Sequence, residues 1–209
     1  MKTITINNIN LNCPESWEDL TFEKYCQVFY DLDKNEENKD VINIKNEVTI
    51  FSRLLDIDEA IILDAPIDFY NKLRDVLSFV YRNDHYNNAN NEIAINGVDY
   101  KIPTIEEMKL RQHIDLDITT QEPDSPAKFI ELLAILIVPV GTEYDGNYHQ
   151  RMELIKKLPC TKCFPLLAFF LLKEECLREI TKLSMKGEQE INHLVQFIQS
   201  LSKTSIGNI

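Results

Sequence analysis

The sequence predicts an α+β fold, mainly helical, in which a module of a β-hairpin plus helices is duplicated in tandem and followed by an extra C-terminal helix. A hairpin pattern occurs twice, helical periodicity follows each hairpin, and an amphipathic segment comes after the second copy. The predicted organisation is a first hairpin-helix module at 1–88, a second at 89–183, and a C-terminal capping helix and tail at 184–209.

The two hairpins are the clearest part of the repeat. Ile4 to Pro14 aligns with Ile93 to Pro103 without a gap, and each copy alternates apolar and polar residues around a two-residue break. The breaks are Asn7-Asn8 and Asn96-Gly97, residues that tolerate the positive φ angles of a type I′ turn. Both segments are therefore predicted to be β-hairpins, each ended by its proline.

A short helix is predicted after each hairpin. Trp17 to Tyr25 aligns with Ile105 to His113 once one residue is deleted. Thr104, followed three residues later by a glutamate, predicts a capping box that opens the second helix at residue 105. Ser16 and Thr21 are alternative N-caps of the first. The period of about 90 residues is too long for the common solenoid repeats, so it suggests a tandem duplication of a small domain. The alternative is that two unrelated segments share the same turn residues.

Further helices follow in both modules, separated by polar or proline-containing segments. The first module has a polar loop at Asp31–Lys39, helices at Asp40–Leu55, Asp58–Leu63 and Asp68–Arg82, and an asparagine-rich boundary at Asp84–Asn91. The second has a linker at Thr119–Pro126, helices at Ala127–Val138, Tyr148–Leu158 and Thr161–Leu183, and the final helix at Glu188–Leu201. That last helix has one apolar face, which predicts either a cap on the structure or a stripe for a partner.

Composition limits the classes of function. The 209 residues carry 34 acidic and 22 basic side chains, a net charge of −12. This field repels phosphate backbones, so nucleic-acid binding is disfavoured and a protein partner is expected. The most apolar runs are too short to span a bilayer, and the N-terminal residues lead into the hairpin without the apolar core of a signal peptide. Five cysteines, an odd number, favour a reducing compartment such as the cytoplasm.

No motif for catalysis is present in the sequence. With only five glycines, it has no phosphate-binding loop, no Gly-x-Ser-x-Gly elbow and no His-Glu-x-x-His. The four histidines are scattered, and none has a neighbouring motif that would activate it. We therefore expect a protein that is not an enzyme and uses no cofactor.

Cys160 and Cys163 form the one pair with the spacing of a metal or redox site, and Cys176 follows in the same predicted helix. A zinc site requires four ligands, and no second pair lies at a matching spacing. Buried thiols at a helix start are the favoured interpretation, and no metal site is predicted. A small intracellular metal-binding or host-directed regulatory factor that uses this pair is retained as the alternative function.

Trp17, Leu20 and Tyr25 are the candidate partner-binding residues. Trp17 is the only tryptophan and lies just after the first hairpin, where Ile105 lies in the second. Both positions are apolar and open a helix, so packing of the helix on its hairpin explains them best. Recognition of a partner is the competing interpretation.

The N-terminal run resembles a family of bacteriophage proteins. Pro14 to Tyr25 reads Pro-Glu-Ser-Trp-Glu-Asp-Leu-Thr-Phe-Glu-Lys-Tyr. It is similar to the Pro-x-Ser-Trp-x-x-Leu-Thr-x-x-x-Tyr stretch that follows an opening hairpin in small proteins of tailed bacteriophages, described as tail-assembly-chaperone-like or structural. In that group a Gly-x-x-Tyr-x-Ile hairpin precedes more helices, and Gly97 to Ile102 resembles it. The resemblance covers about residues 4 to 180.

The resemblance implies a non-enzymatic virion-assembly or structural protein of the tail or head-tail region, acting through protein-protein contacts. Tail or neck components of the phage are the implied partners, through an exposed hairpin edge or an apolar helix face. The implied location is the virion or the host cytoplasm. Whether the chain forms a homo-oligomer stays open, and the family supplies no catalytic residues.

Overall fold

The computed structural model describes residues 1–6, 9–29, 32, 44–82, 88–104, 106–123 and 125–170. Residues 1–167 form one compact unit, and a second unit begins at residue 168. As predicted, the fold is α+β and mainly helical, with two small antiparallel sheets. The predicted C-terminal helix lies outside the described residues, and the module limits at 88 and 183 stay predictions.

Both predicted hairpins are present. Their four strands are β1 (Lys2–Ile6), β2 (Ile9–Cys13), β3 (Glu92–Ile95) and β4 (Val98–Lys101). Ile6 pairs with Ile9, and Ile95 pairs with Val98, so each hairpin has a two-residue loop. In the second loop Asn96 and Gly97 have φ angles of 51° and 80°, which are the angles of a type I′ turn. The Asn7-Asn8 loop lies outside the described residues.

A third strand joins the second hairpin and was not predicted. β5 (Val138–Pro139) pairs with β4, and Val140 N–H donates to the Asp99 carbonyl at 2.8 Å. The helix predicted at Ala127–Val138 therefore ends early. Proline at 139 favours an extended conformation in the residue before it, and the chain turns from helix into a short strand.

Eight helices are found in the described residues. They are α1 (Phe22–Phe29), α2 (Ile44–Leu55), α3 (Glu59–Leu63), α4 (Ile67–Val76), α5 (Leu110–Gln121), α6 (Lys128–Leu136), α7 (Tyr148–Lys156) and α8 (160–170). Asp58 caps α3 by accepting from the Ala60 N–H at 2.9 Å, and the Thr21 hydroxyl accepts from Lys24 N–H at 3.3 Å at the start of α1.

The order of elements in residues 1–82 recurs in residues 88–170. Each copy has a hairpin followed by four helices, and α1 and α5 begin at Phe22 and Leu110, which the sequence repeat aligns. The capping box at Thr104 was wrong as a helix start. Thr104 N–H does donate to Glu107 Oε2 at 2.9 Å, but only a turn forms there and α5 begins at Leu110. Trp17–Asp19, the aligned segment, is a short 3-10 turn.

The predicted helix Asp68–Arg82 is also divided. α4 ends at Val76, and Ser78–Tyr81 is a separate 3-10 turn that follows Leu77. Leu77 is fully buried at this junction. The tighter turn lets the chain keep Phe79 and Val80 in the core after the α-helix has ended.

The core is centred on α6, which packs against α5, α7 and α1. Backbone bonds also join the two copies: Phe22 N–H donates to the Leu158 carbonyl at 2.8 Å, and Cys160 N–H donates to the Leu20 carbonyl at 2.9 Å. Thr21 and Pro159 form a β-bridge between these bonds. Among the described residues, every helix is too short or too polar to span a bilayer.

Candidate functional site

The predicted partner-binding residues lie in or beside an aromatic cluster. Trp17 is only 8% exposed and Leu20 is buried, whereas Tyr25 is partly exposed. The Trp17 ring centroid lies 5.0 to 5.9 Å from the rings of Tyr25, Phe29, Phe79 and Phe164. Such edge-to-face and tilted contacts stabilise a core. Trp17 and Leu20 therefore pack the protein, and a role in binding a partner stays a prediction.

The cysteine pair lies inside the protein. Cys160 and Cys163 are buried, and so is Cys26 beside them on α1. Burial raises the pKa of Cys26 and of Cys160 to about 12 and raises that of Cys163 well above its usual value. The thiolate, which is the nucleophile and the metal ligand, is thus disfavoured. Cys176 lies outside the described residues, and among the described ones no three His, Cys, Asp or Glu side chains form a metal-binding cluster.

A buried carboxylate joins α2 to α4. Glu47 accepts a hydrogen bond from the Tyr70 hydroxyl, and its Oε1 lies 3.6 Å from Arg74 Nη2. Burial and the bond to Glu47 raise the pKa of Tyr70 to about 12. Burial likewise raises the pKa of Tyr81, whose ring lies under the Arg74 guanidinium. The polar groups are directed at one another, so the cluster is suited to holding helices together.

A second polar cluster satisfies the end of α6. Gln112 Nε2 donates to the Ile135 and Leu136 carbonyls at 2.8 and 3.3 Å, and Arg151 Nε donates to the Ala134 carbonyl at 2.8 Å. The last carbonyls of a helix have no partner within the helix. Buried side chains from α5 and α7 supply those partners, which the sequence did not predict.

Two clefts border the second sheet, each with a volume of ≈ 270 Å³. One lies over β3 and β4 beside Val140. The other lies between the sheet and the start of α5, where Lys101 pairs with Glu107 at 3.0 Å and Lys109 with Glu143 at 2.9 Å. Sites for small molecules are usually larger and mostly apolar, with few polar groups. Neither cleft has that character.

The first hairpin has an open edge. β1 pairs with β2, α2 lies against β2, and within the described residues β1 is hydrogen-bonded on one side only. Lys2, Thr3 and Thr5 are exposed along it. An exposed strand edge presents backbone donors and acceptors to another strand.

The outer side of α5 is apolar and exposed. Leu110, Ile114 and Ile118 are 75%, 49% and 54% exposed, and their spacing of four residues places them in one row. We call these three residues the α5 stripe. Sequence reasoning missed it, although the regular aliphatic spacing was the signal that could have revealed it.

Comparison with protein-family models, characterised proteins and solved structures found no match. The surfaces of the described residues are therefore the basis for a functional proposal.

Proposed function

We propose that this chain is a non-enzymatic protein of bacteriophage virion assembly or structure, in the tail or head-tail region. It binds another protein when a strand of that protein pairs with the open edge of β1. The phage context rests on the resemblance of Pro14–Tyr25 and Gly97–Ile102 to such proteins. The binding mode rests on one observation, the open edge of β1. Virion or host cytoplasm is the location, and tail or neck components are the partners.

The direction of the free backbone groups follows from the register. Ile6 and Ile9 flank a two-residue loop, so they are a hydrogen-bonded pair, and bonded and non-bonded pairs then alternate. Thr3 and Thr5 fall in non-bonded pairs, so their N–H and C=O groups point away from β2. The same rule gives the correct result in the second hairpin, where the outward Asp99 carbonyl accepts from Val140 N–H.

β1 is a better docking edge than β3, the other outer strand. Glu92 N–H on β3 already donates to Asn90 Oδ1 at 3.2 Å, which leaves Ala94 as the outward residue there. Both outward residues of β1 are threonines with high strand propensity. Their hydroxyls donate to Asn12 and Asn10 across the hairpin and keep β1 extended.

The test compares Thr5→Pro with Thr5→Ala. Proline removes the outward N–H but leaves the bonds to β2 in place, whereas alanine keeps the N–H. Both variants lose the threonine hydroxyl. We expect Thr5→Pro to lower the retention of co-expressed tail or neck proteins at least about tenfold relative to Thr5→Ala, with equal thermal stability of the two variants. Equal retention would refute strand addition at β1.

The phage role has its own test. We expect mass spectrometry of purified particles to detect the chain. We also expect tail or neck proteins to be retained when the tagged chain is purified by affinity from infected cells. A chain that is absent from particles and retains none of the neighbouring gene products would refute the proposed role.

The strand-addition test needs a control for misfolding. Ile4→Pro removes an N–H that is directed at β2, so it should destabilise the hairpin, unlike Thr5→Pro.

A further inference from the structure

The starts of two helices in different copies of the repeat satisfy each other. The first N–H groups of a helix have no partner within that helix. Phe22 N–H, at the start of α1, donates to the Leu158 carbonyl at 2.8 Å. In return, Cys160 N–H, at the start of α8, donates to the Leu20 carbonyl at 2.9 Å. Phe22 and Cys160 are fully buried, so the contact is apolar as well as hydrogen-bonded. We call this pairing of residues 20–22 with 158–160 the helix-start contact.

The equivalent starts of two other helices are exposed. α5 is the equivalent of α1. α4 is the equivalent of α8, since each is the fourth helix of its copy and each begins directly after a proline. Leu110 and Ile67, the first residues of α5 and α4, are 75% and 68% exposed, and Ile114, one turn further along α5, is 49% exposed. This second pair of apolar helix starts is therefore uncovered in the part of the chain that the structure describes.

The helix-start contact specifies the partner of each exposed start. With α5 in the place of α1 and α4 in the place of α8, the Leu110 N–H is directed at the Ala65 carbonyl. The Ile67 N–H is likewise directed at the Met108 carbonyl. Each of these carbonyls lies two residues before the other helix, as in the contact within the chain. Because both starts are exposed in a single chain, they do not meet there, and the α4 start that fits α5 belongs to a second copy.

Charge favours this partner. Thr21 is at the centre of the helix-start contact, where it forms a β-bridge, and Lys109 is its equivalent before α5. In the same register Lys109 meets the segment between Asp64 and Asp68, and all three side chains are exposed. Two ion pairs on the α5 side are open to solvent and can rearrange at little cost: Lys109 with Glu143 at 2.9 Å, and Lys101 with Glu107 at 3.0 Å.

We infer that copies of this chain bind head to tail, with the start of α5 in one copy against the start of α4 in the next. The two surfaces differ, so the interface is heterologous and builds rings or filaments. Each surface comprises only a few residues, which is far less than a standard interface of about 1,600 Å². The association should accordingly be weak and reversible.

Sedimentation velocity of the full chain at rising concentration tests the association. We expect the wild type to form species larger than a dimer. Leu110→Glu and Ile67→Glu each place a charge in the apolar contact and so remove one of the two surfaces. Each variant alone should therefore stay monomeric. Ile44→Glu is the matched control, since Ile44 is 70% exposed but lies at the start of α2, and it should assemble as the wild type does.

Mixing the two variants tests the head-to-tail order. The Ile67→Glu chain keeps an intact α5 start, and the Leu110→Glu chain keeps an intact α4 start. An equal mixture should therefore form one mixed dimer and nothing larger, with a dissociation constant at least about tenfold below that of either variant alone. Native mass spectrometry resolves the two chains by mass.

A wild type that stays monomeric or stops at a dimer would overturn the inference, and so would a mixture that associates no better than its components. The β1 substitutions do not touch either helix start, so this inference and the proposed function fail independently.

Discussion

Gln112 should be essential for the stability of α6. This side chain is 1% exposed and donates from one nitrogen to the carbonyls of Ile135 and Leu136. Gln112→Met keeps an unbranched side chain of similar length but removes the donor. Two buried carbonyls then lose their partner, which costs about 1–3 kcal/mol. The free energy of unfolding of a domain is typically roughly 5–15 kcal/mol, so this cost is a large share of it.

Gln112→Glu adds a pH dependence of known sign. A buried carboxylate facing two carbonyl oxygens is disfavoured, so its pKa in the folded state must lie above the unfolded value of about 4.3. Between those two pKa values the folded state binds more protons than the unfolded state. Relative to wild type, the Gln112→Glu variant therefore keeps its stability below about pH 4. Its free energy of unfolding falls as pH rises between the two pKa values, by up to about 1.4 kcal/mol per pH unit.

Urea unfolding of wild type, Gln112→Met and Gln112→Glu from mildly acidic to neutral pH measures both effects. Gln27→Glu is the control, since Gln27 is exposed on α1 and its substitution should produce no growing deficit. A Gln112→Glu deficit that is the same at pH 4 and pH 7, or a Gln112→Met variant as stable as wild type, would contradict the role assigned to this side chain.

Two further predictions concern titratable groups that are partly or fully buried. The pKa of Tyr70 in the folded protein is about 12 against an ordinary value of 10.0, so wild-type stability should fall as pH rises above 10. In thermal melts monitored by circular dichroism, Tyr70→Phe should make that fall shallower. An unchanged dependence on pH would contradict the prediction. In a Cys176→Ser background, the buried thiols of Cys13, Cys26, Cys160 and Cys163 should react with Ellman's reagent only on unfolding. The wild-type protein, which keeps all three candidate ligands, should be purified without stoichiometric zinc. Rapid reaction of the native thiols or bound zinc would restore the metal-factor alternative.

Local turn chemistry made the hairpins predictable. Asn96-Gly97 between alternating runs leaves few alternatives to a type I′ turn, and Asp58 before an apolar run leaves few alternatives to a helix cap. The α5 start was mispredicted because the Thr104 signal is satisfied locally by Glu107 without a following helix. β5 was missed because two residues carry no periodicity, and its pairing with β4 is set by tertiary contact.

The candidate surfaces were less predictable than the fold, for a physical reason. Sequence patterns assign polar residues to solvent, but three of them are buried here: Gln112, Arg151 and Glu47. Only the packed helices show that such side chains form hydrogen bonds inside the protein, as Gln112 and Arg151 do with carbonyls at the end of α6. Trp17 was a candidate for recognition because it is the only tryptophan, but burial depends on which other aromatic rings surround it. The open edge of β1 depends on which strands pair, and a single hairpin pattern does not contain that information.

The predicted duplication explains why two equivalent helices have different surroundings. Equivalent helices begin at Phe22 and Leu110. The first is buried at its start beside Leu158–Cys160, whereas Leu110 and Ile114 are 75% and 49% exposed among the described residues. Two modules joined in one chain can satisfy one such contact and leave its equivalent on the other module uncovered. Ile114 therefore replaces the buried Cys26 on a face that is still apolar.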